Sequence, residues 1–480
     1  MTLMSSTRPS RAQTPAVTAD AHHYLASAGR RRSAAGTPKY LALVEALEAG
    51  LRHGALAAGA QLPPQRDLAE LFDMTVATVT KAIGEASRRG LVTARSGSGT
   101  FMAAAAEPLA QASSNDLSLN IPPAAVAADL VAAGLRRITQ TSQAARLIEY
   151  APVGGSAINR AAGAALFAAR GLVAQPDQVL LTQGAHQGLI AALAATTRPG
   201  DRVACERLNY SGLRRIAELL QLTLLGIDCD EEGMVVGQLR ARLRTQRIAA
   251  IVCTPSGHNP TSHTLSERRR HELVRLARGA SVPVIEDDIY GMLCHDGLPP
   301  LAALWPEGTL CVTSLSKSVA PGLRIGYSLC PPALMSRARD GLFALGWTES
   351  SLQAALATEL IQSGSLAQCV GRHQAEARRR FAVARSILPD GCIRTASTAV
   401  SYHLWVATRG AEPNDVAAEL SRRGILVSPS SHFVVDDSPP PAALRVSLGG
   451  PATAAGLEAP LKELAAVMRD DRQSSFGSIV

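Results

Sequence analysis

The sequence predicts an α/β protein in two parts. A small winged helix-turn-helix domain comes first, followed by a large αβα domain with a mixed sheet and a small C-terminal α+β subdomain. Three observations carry this. The chain has 480 residues, more than one hydrophobic core usually serves. Residues 37–102 follow the order helix, helix, turn, helix, hairpin. From residue 116 onward, short apolar β-rich runs alternate with helical patterns, as in a parallel or mixed sheet covered on both faces.

With 46% hydrophobic and 18% charged residues, both parts can bury a core; aromatics are only 4%, so aliphatic side chains and alanine must fill it. Apolar windows such as "GLIAALAA" at 188–195 are far shorter than the ~18–20 residues a membrane span needs. No apolar signal-peptide core follows Met1, so the expectation is a cytoplasmic protein, associated with the nucleoid if it binds DNA. Eight cysteines stand singly, never as CxxC, which points to reduced thiols and against a metal site or a disulfide scaffold. The net charge of +8 is compatible with a polyanionic partner and does not by itself name one.

Residues 1–36 are rich in Ser, Ala, Thr, Pro and Arg without apolar periodicity and are expected to be a disordered tail, in which Arg30-Arg31-Arg32 reads as solvated charge. Tyr40, Leu43, Val44, Leu47 and Leu51 then recur at helical spacing. "LPPQ" at 62–65 interrupts, "RDLAELF" at 66–72 gives a short helix, and Asp73-Met74 turns the chain. Thr75 is placed to cap a third helix over 76–89, burying Val79, Ala82 and Ile83 and leaving Ala77, Thr78 and Lys81 outward. "LVTARSGSGTFM" at 91–102 reads as two strands around a Gly/Ser tip, the wing. Residues 103–115, rich in Ala, Ser and Gln, form a linker.

In a helix-turn-helix the second helix reads base edges while basic side chains and amides hold phosphates, which makes Arg66, Thr75, Thr78, Lys81 and Arg95 the DNA-facing candidates. The stretch from "LPPQRDLAELF" to "RSGSGTF" resembles the GntR-family winged helix, with two departures: Val76 where the family usually has arginine, and Ile83 where it usually has tyrosine.

The strand candidates of the large domain are "QVLLTQG", "DRVACE", "LTLLGID", "IAAIVCTP", "VPVIEDD", "TLCVTSLS" and "IGYSLC"; "SYHLWVA" at 401–407 and "LRVSLGG" at 444–450 belong to a subdomain beginning near residue 345. "SLSKSVAPGLRIGY" at 314–327 sets one lysine among serines, with an arginine seven residues on. A lysine amine forms an imine with an aldehyde only when desolvation or nearby charge lowers its pKa. Pyridoxal 5'-phosphate, the usual such aldehyde, also needs donors for its phosphate and a carboxylate at its pyridine nitrogen.

Each need has a candidate at the end of a predicted strand, where open α/β sheets place their sites. Lys317 is the imine lysine; Ser314, Ser316 and Arg324 surround the phosphate, together with the amides of Gly184, Ala185 and His186 opening a helix. Asp287 faces the ring nitrogen, and Tyr290 and Asn259 both reach toward the ring hydroxyl. Taken singly, Asp287 reads equally as a helix cap, Tyr210 as a core aromatic and Arg445 as an exposed strand arginine.

In order and spacing, residues 116–475 resemble a fold-type I aminotransferase, from which His186 and Ser262 depart locally, Ser262 replacing the glycine of an NPTG turn. The resemblance implies that Tyr210 stacks on the pyridine ring, that Tyr150 reaches the phosphate of a neighbouring subunit, and that Arg445 clamps an effector carboxylate. A GntR-type winged helix ahead of such a domain resembles the MocR-type transcription regulators. That likeness implies a head-to-tail homodimer on promoter duplex DNA whose large domain senses pyridoxal phosphate or an amino compound. A working aminotransferase carrying a DNA-binding domain, and a DNA-binding protein whose large domain has lost its cofactor, are the competing readings.

Overall fold

The computed structural model describes residues 19–30, 38–52, 55–57, 59–95, 99–102, 115–140, 144–294, 297–395 and 400–474. They fall into two units, Met1–Gln111 and Ala112–Val480.

The first unit contains α1 (Ala19–Arg30), α2 (Lys39–Arg52), α3 (Gln65–Leu71), α4 (Val76–Arg88), β1 (Val92–Arg95) and β2 (Gly99–Met102). Thr75 caps α4 by accepting from the Thr78 amide, and Asp73 takes a left-handed conformation (φ 47°) in the turn before it. α4 buries Val79, Ala82, Ile83 and Ala86 against Leu43, Val44, Leu47 and Leu68. β1 and β2 pair antiparallel from Val92↔Met102 to Arg95↔Gly99. The expected Gly/Ser tip at 96–98, and the expected linker up to residue 114, lie outside the described residues.

One expectation is corrected. The segment read as a disordered tail over 1–36 contains α1, and Leu25 is fully buried in the core of the first unit. The Tyr24 hydroxyl donates to the Ala46 carbonyl at 3.0 Å, tying α1 to α2. Two apolar anchors in twelve residues leave too faint a period to mark a helix, and so short a helix gains its stability from tertiary packing rather than propensity.

In the second unit seven strands form one sheet in the order β3-β11-β10-β9-β8-β4-β5. They are β3 (Val179–Thr182), β4 (Arg202–Glu206), β5 (Thr223–Ile227), β8 (Ala250–Cys253), β9 (Val284–Asp287), β10 (Thr309–Ser314) and β11 (Gly326–Leu329). A two-stranded hairpin, β6 (Cys229–Asp230) with β7 (Gly233–Met234), stands beside it. Every pairing in the seven-stranded sheet is parallel except those of β11, which runs antiparallel to both β10 and β3.

Helices cover both faces, as continuous apolar strands require. On one face Phe167 of α6 (Ala157–Ala168) packs with Leu181 and Tyr327, beside Ile138 of α5 (Ala128–Thr139). On the other, Leu189 and Leu193 of α7 (Gly184–Thr196) pack with Val203, Val312 and Leu213 of α8 (Ser211–Leu219). α7 is buried on nearly all sides, which explains its lack of a polar stripe. Gly326 stands where a Cβ would meet the Thr313 carbonyl oxygen at 2.6 Å, so no side chain fits at the start of β11.

The small subdomain is a three-stranded antiparallel sheet, β12 (His403–Ala407), β14 (Ala443–Ser447) and β13 (Ser428–Pro429), packed on helices Ser365–Ile387 and Glu458–Ser474. Its core also takes Leu117, whose amide donates to Leu426 O (2.8 Å) and whose carbonyl accepts from the Ser447 amide (2.7 Å). The subdomain therefore includes chain from well before residue 345. Among the described residues no helix is long and apolar enough to cross a membrane.

Replacing Leu25 by alanine removes a fully buried side chain and is expected to destabilise the first unit by about 2–5 kcal/mol. Calorimetry of the full chain should show a transition moved to lower temperature, whereas an unchanged melting profile would mean that α1 does not pack on this core.

Candidate cofactor site and nucleic-acid interface

The sheet converges its functional side chains at one edge. Asp287 ends β9, Ser314 ends β10, Gly184 lies two residues past β3, and Glu206 ends β4. β9 and β10 are parallel neighbours with Val312 opposite Asp287, which brings the turn holding Lys317 beside that carboxyl.

Lys317 is half-buried and donates from Nζ to the carbonyl oxygen of Asn120, with the Tyr290 ring 5.8 Å away. Burial, then the nearby cations Arg445 and Arg324, bring its pKa down to about 7 against the pull of Asp287. Asp287 is pushed up to about 7 by burial and by the charges of Asp288 and Glu206, while the Ile289 amide and Lys317 act the other way. Its Oδ1 is buried with no hydrogen-bond partner among the described residues.

Glu206 and Asp288 hold the floor rigid. Glu206 accepts from the Thr254 amide (2.8 Å) and from Asn209 Nδ2 (2.9 Å), joining the ends of β4 and β8. Asp288 receives Arg170 on both oxygens, at 3.0 and 3.1 Å, in a buried two-pronged ion pair.

Opposite Asp287 lies a set of donors. Ser314 Oγ donates to Ser316 Oγ at 2.8 Å and accepts from the Ser316 amide at 2.9 Å. Arg324, held left-handed (φ 49°), donates to the Gln183 carbonyl at 3.1 Å and passes over Gly184, where a Cβ would stand 3.1 Å from its Nη2. Gln183 gives α7 no side-chain cap, its own amide donating to Gln187 Oε1 at 2.6 Å, so the amides of Gly184, Ala185 and His186 are left at a positive helix end. His186 is half-buried, its Nδ1 lacks a partner among the described residues, and its ring meets Tyr210 edge-on at 6.1 Å. Burial and then Arg324 lower its pKa, so its ring stays neutral.

Tyr290 is buried and accepts from Asn120 Nδ2 at 2.7 Å. The Arg445 guanidinium is buried over the Phe433 ring (4.8 Å) and donates from Nη1 to Asn259 Oδ1 at 2.9 Å, which links the two residues. Burial holds its pKa down to about 10, so it stays cationic at neutral pH. Tyr150 is placed apart from this cluster: it is 84% exposed and stacks on Trp347 at 5.5 Å.

Sequence reasoning missed Asn120 and His403. Asn120 bonds Tyr290 and approaches His403 Nδ1 at 3.0 Å, and the ring of His403 packs 5.3 Å from Tyr290. "SLNIPP" contains no charged or repeated signal that marks Asn120, whereas Asp288 was visible in "EDD".

A family model matches over residues 112–459, and its description is aminotransferase class I and II. The chain belongs to this family. Residues 39–102 match the bacterial regulatory proteins of the gntR family, so the two halves together have the make-up of a MocR-type regulator. YdeF of Bacillus subtilis, an uncharacterized HTH-type transcriptional regulator, is 30% identical over 442 residues, covering 90% of this chain and 95% of that protein. TauR of Rhodobacter capsulatus, also an HTH-type transcriptional regulator, is 32% identical over 55% of each chain. Among solved structures, an archaeal alanine:glyoxylate aminotransferase shares the fold at 20% identity with a TM-score of 0.68, over 82% of this chain and 95% of its own.

Members of the family bind pyridoxal 5'-phosphate, and the residues fit that group. An unpartnered buried carboxyl oxygen suits a protonated ring nitrogen, a low-pKa amine suits the aldehyde, and an arginine over an uncapped helix end suits a phosphate.

In the first unit Arg66 and Lys81 are exposed, and Lys81 lies over the Tyr40 ring at 4.4 Å. Thr75 and Thr78 share a hydroxyl contact of 2.8 Å beside the cap, and Arg95 closes the described part of β1. Val76, where an arginine was expected by resemblance, is 45% exposed at the start of α4.

Because Lys317 is neutral above about pH 7, condensation with pyridoxal 5'-phosphate should quicken about tenfold per pH unit up to that point and level off above it. Growth of imine absorbance measures the rate, Lys317→Ala should abolish it, and a rate still climbing through pH 10 would show an ordinary lysine.

Proposed function

We propose that this protein regulates transcription by binding promoter duplex DNA through its first unit, with the affinity set by cofactor and amino-compound chemistry at Lys317 in the second. The observation that carries this is a half-buried lysine amine beside a buried carboxyl whose Oδ1 has no partner among the described residues, in a chain that also bears an exposed helix-turn-helix face.

When bound, pyridoxal 5'-phosphate supplies an aldehyde for the Lys317 amine and an electron-withdrawing ring. The chain's own groups do the rest. Asp287 Oδ1 would accept from the ring nitrogen and keep its proton in place, Ser314, Ser316, Arg324 and the first amides of α7 would hold the phosphate, and Tyr210 would cover the ring. Asn259 and Tyr290 face the ring hydroxyl. Arg445 offers a guanidinium to the carboxylate of an incoming amino compound. For the amino compound to act as a switch, it must favour one arrangement of the protein over another.

A homodimer follows from the same reading. Ile148, Tyr150 and Trp347 are exposed at 90%, 84% and 58%, a set of large apolar side chains suited to a second copy of this chain. Tyr150 would then serve the partner's phosphate site, and a two-fold dimer would offer two recognition helices to two half-sites.

Binding of the full chain to a duplex selected from a random-sequence library should weaken steeply with salt, since phosphate contacts release counterions. Lys81→Ala and Arg66→Ala should each weaken binding and reduce the salt slope by about one. Addition of pyridoxal 5'-phosphate should change the affinity of the native chain and leave that of Lys317→Ala unchanged. Salt-independent binding indifferent to both basic residues would refute the DNA assignment.

A further inference from the structure

The described chain of the second unit begins at residue 115 and runs at once through the cofactor site. Leu117 is anchored in the small subdomain. Beyond it, Ser118 O accepts from Arg445 Nη2 and from Ser428 Oγ, and Asn120 O accepts from Lys317 Nζ. The side chains assigned above to the cofactor's aldehyde and to an amino compound's carboxylate are thus both spent on backbone carbonyls of one short segment.

The donor arithmetic of Arg445 makes this exclusive. A guanidinium grips a carboxylate with two N–H groups on one edge, and each of its two-pronged edges includes Nη2. Nη2 is already engaged by two acceptors, Ser118 O and, at 3.3 Å, Ser428 Oγ, while Nε is buried without a partner among the described residues. A carboxylate taken on the free Nε edge must therefore displace Ser118 or the Ser428 hydroxyl that supports it. Lys317 behaves similarly: its amine can now turn any N–H toward Asn120 O, whereas a nitrogen double-bonded to carbon would keep at most one N–H, fixed in the plane of the double bond and no longer free to turn to that carbonyl.

We propose that residues 116–121 are a latch between the sensing site and the chain leading to the DNA-binding unit: occupation of Lys317 releases it at Asn120, and a carboxylate on Arg445 releases it at Ser118. This rests on the functional reading above and adds to it the element that moves. The latch supplies the differential contact that a switch requires, being bonded in one state and freed in the other. It also gives the two inputs separate addresses, the aldehyde at one carbonyl and the acid at another two residues away.

Hydrogen–deuterium exchange of the full chain tests this. In the cofactor-free protein, Arg445→Gln should raise exchange at Leu117 and Ser118 about fivefold or more, the loss expected from one hydrogen bond to a charged group, while α7 and β10 keep their protection. Unchanged exchange there, with the fold intact, overturns the latch whatever the cofactor does. If Arg445→Gln does not fold, Ser428→Ala, which removes only a supporting hydroxyl, should show the same rise on a smaller scale, and its absence counts equally against the proposal. Pyridoxal 5'-phosphate added to the native chain should raise exchange over 117–121, and Lys317→Ala should show the raised level without it. Imine absorbance with no change over 117–121 overturns the Lys317 half of the latch. Absence of the imine refutes the cofactor reading instead, and the cofactor-free arm still decides the latch.

Discussion

The second unit depends on one electrostatic arrangement, a lysine and an aspartate set close together at the ends of neighbouring parallel strands and withheld from water. Either group alone would be costly to bury charged, and each partly neutralises that cost for the other. Asp287 nevertheless keeps one oxygen unbonded, so the pair is not a finished salt bridge but a site short of a partner. The surrounding ties, Asp288 with Arg170 and Glu206 with Thr254 and Asn209, spend the other nearby carboxylates on structure. Of these three carboxyls, the ties leave Asp287 with an oxygen to offer.

Much of this was legible in the sequence. All seven apolar runs named as strands form the large sheet, because strands buried on both faces leave continuous aliphatic stretches that solvent-facing strands do not. The lysine among serines was legible for a related reason: few other tasks bring an amine, hydroxyls and an arginine into fourteen residues. The winged helix was readable from Thr75 and from the spacing of Val79, Ala82 and Ile83.

The rest was not, for physical reasons that differ from case to case. α1 is a helix because Leu25 and Tyr24 find α2 and its neighbours, and nothing in its own twelve residues announces that. Asn120 acts through a carbonyl and a neutral amide, groups that every asparagine has, so only position distinguishes it. The membership of Leu117 in the small subdomain is a matter of long-range pairing that no local pattern encodes.

The antiparallel strand β11 has a consequence for how the molecule is made. Among the described residues β3, at the edge of the sheet, has β11 as its one strand partner, so during synthesis the ladder bonds of residues 179–182 must wait for residues 326–329, and until then the Leu181 amide has the Gly154 carbonyl. Leu117 waits longer still, for Ser447. The two strands of the winged helix pair with each other within residues 92–102, a far shorter wait. A nascent molecule therefore gains the means to hold DNA while the part that would govern that hold is still emerging from the ribosome.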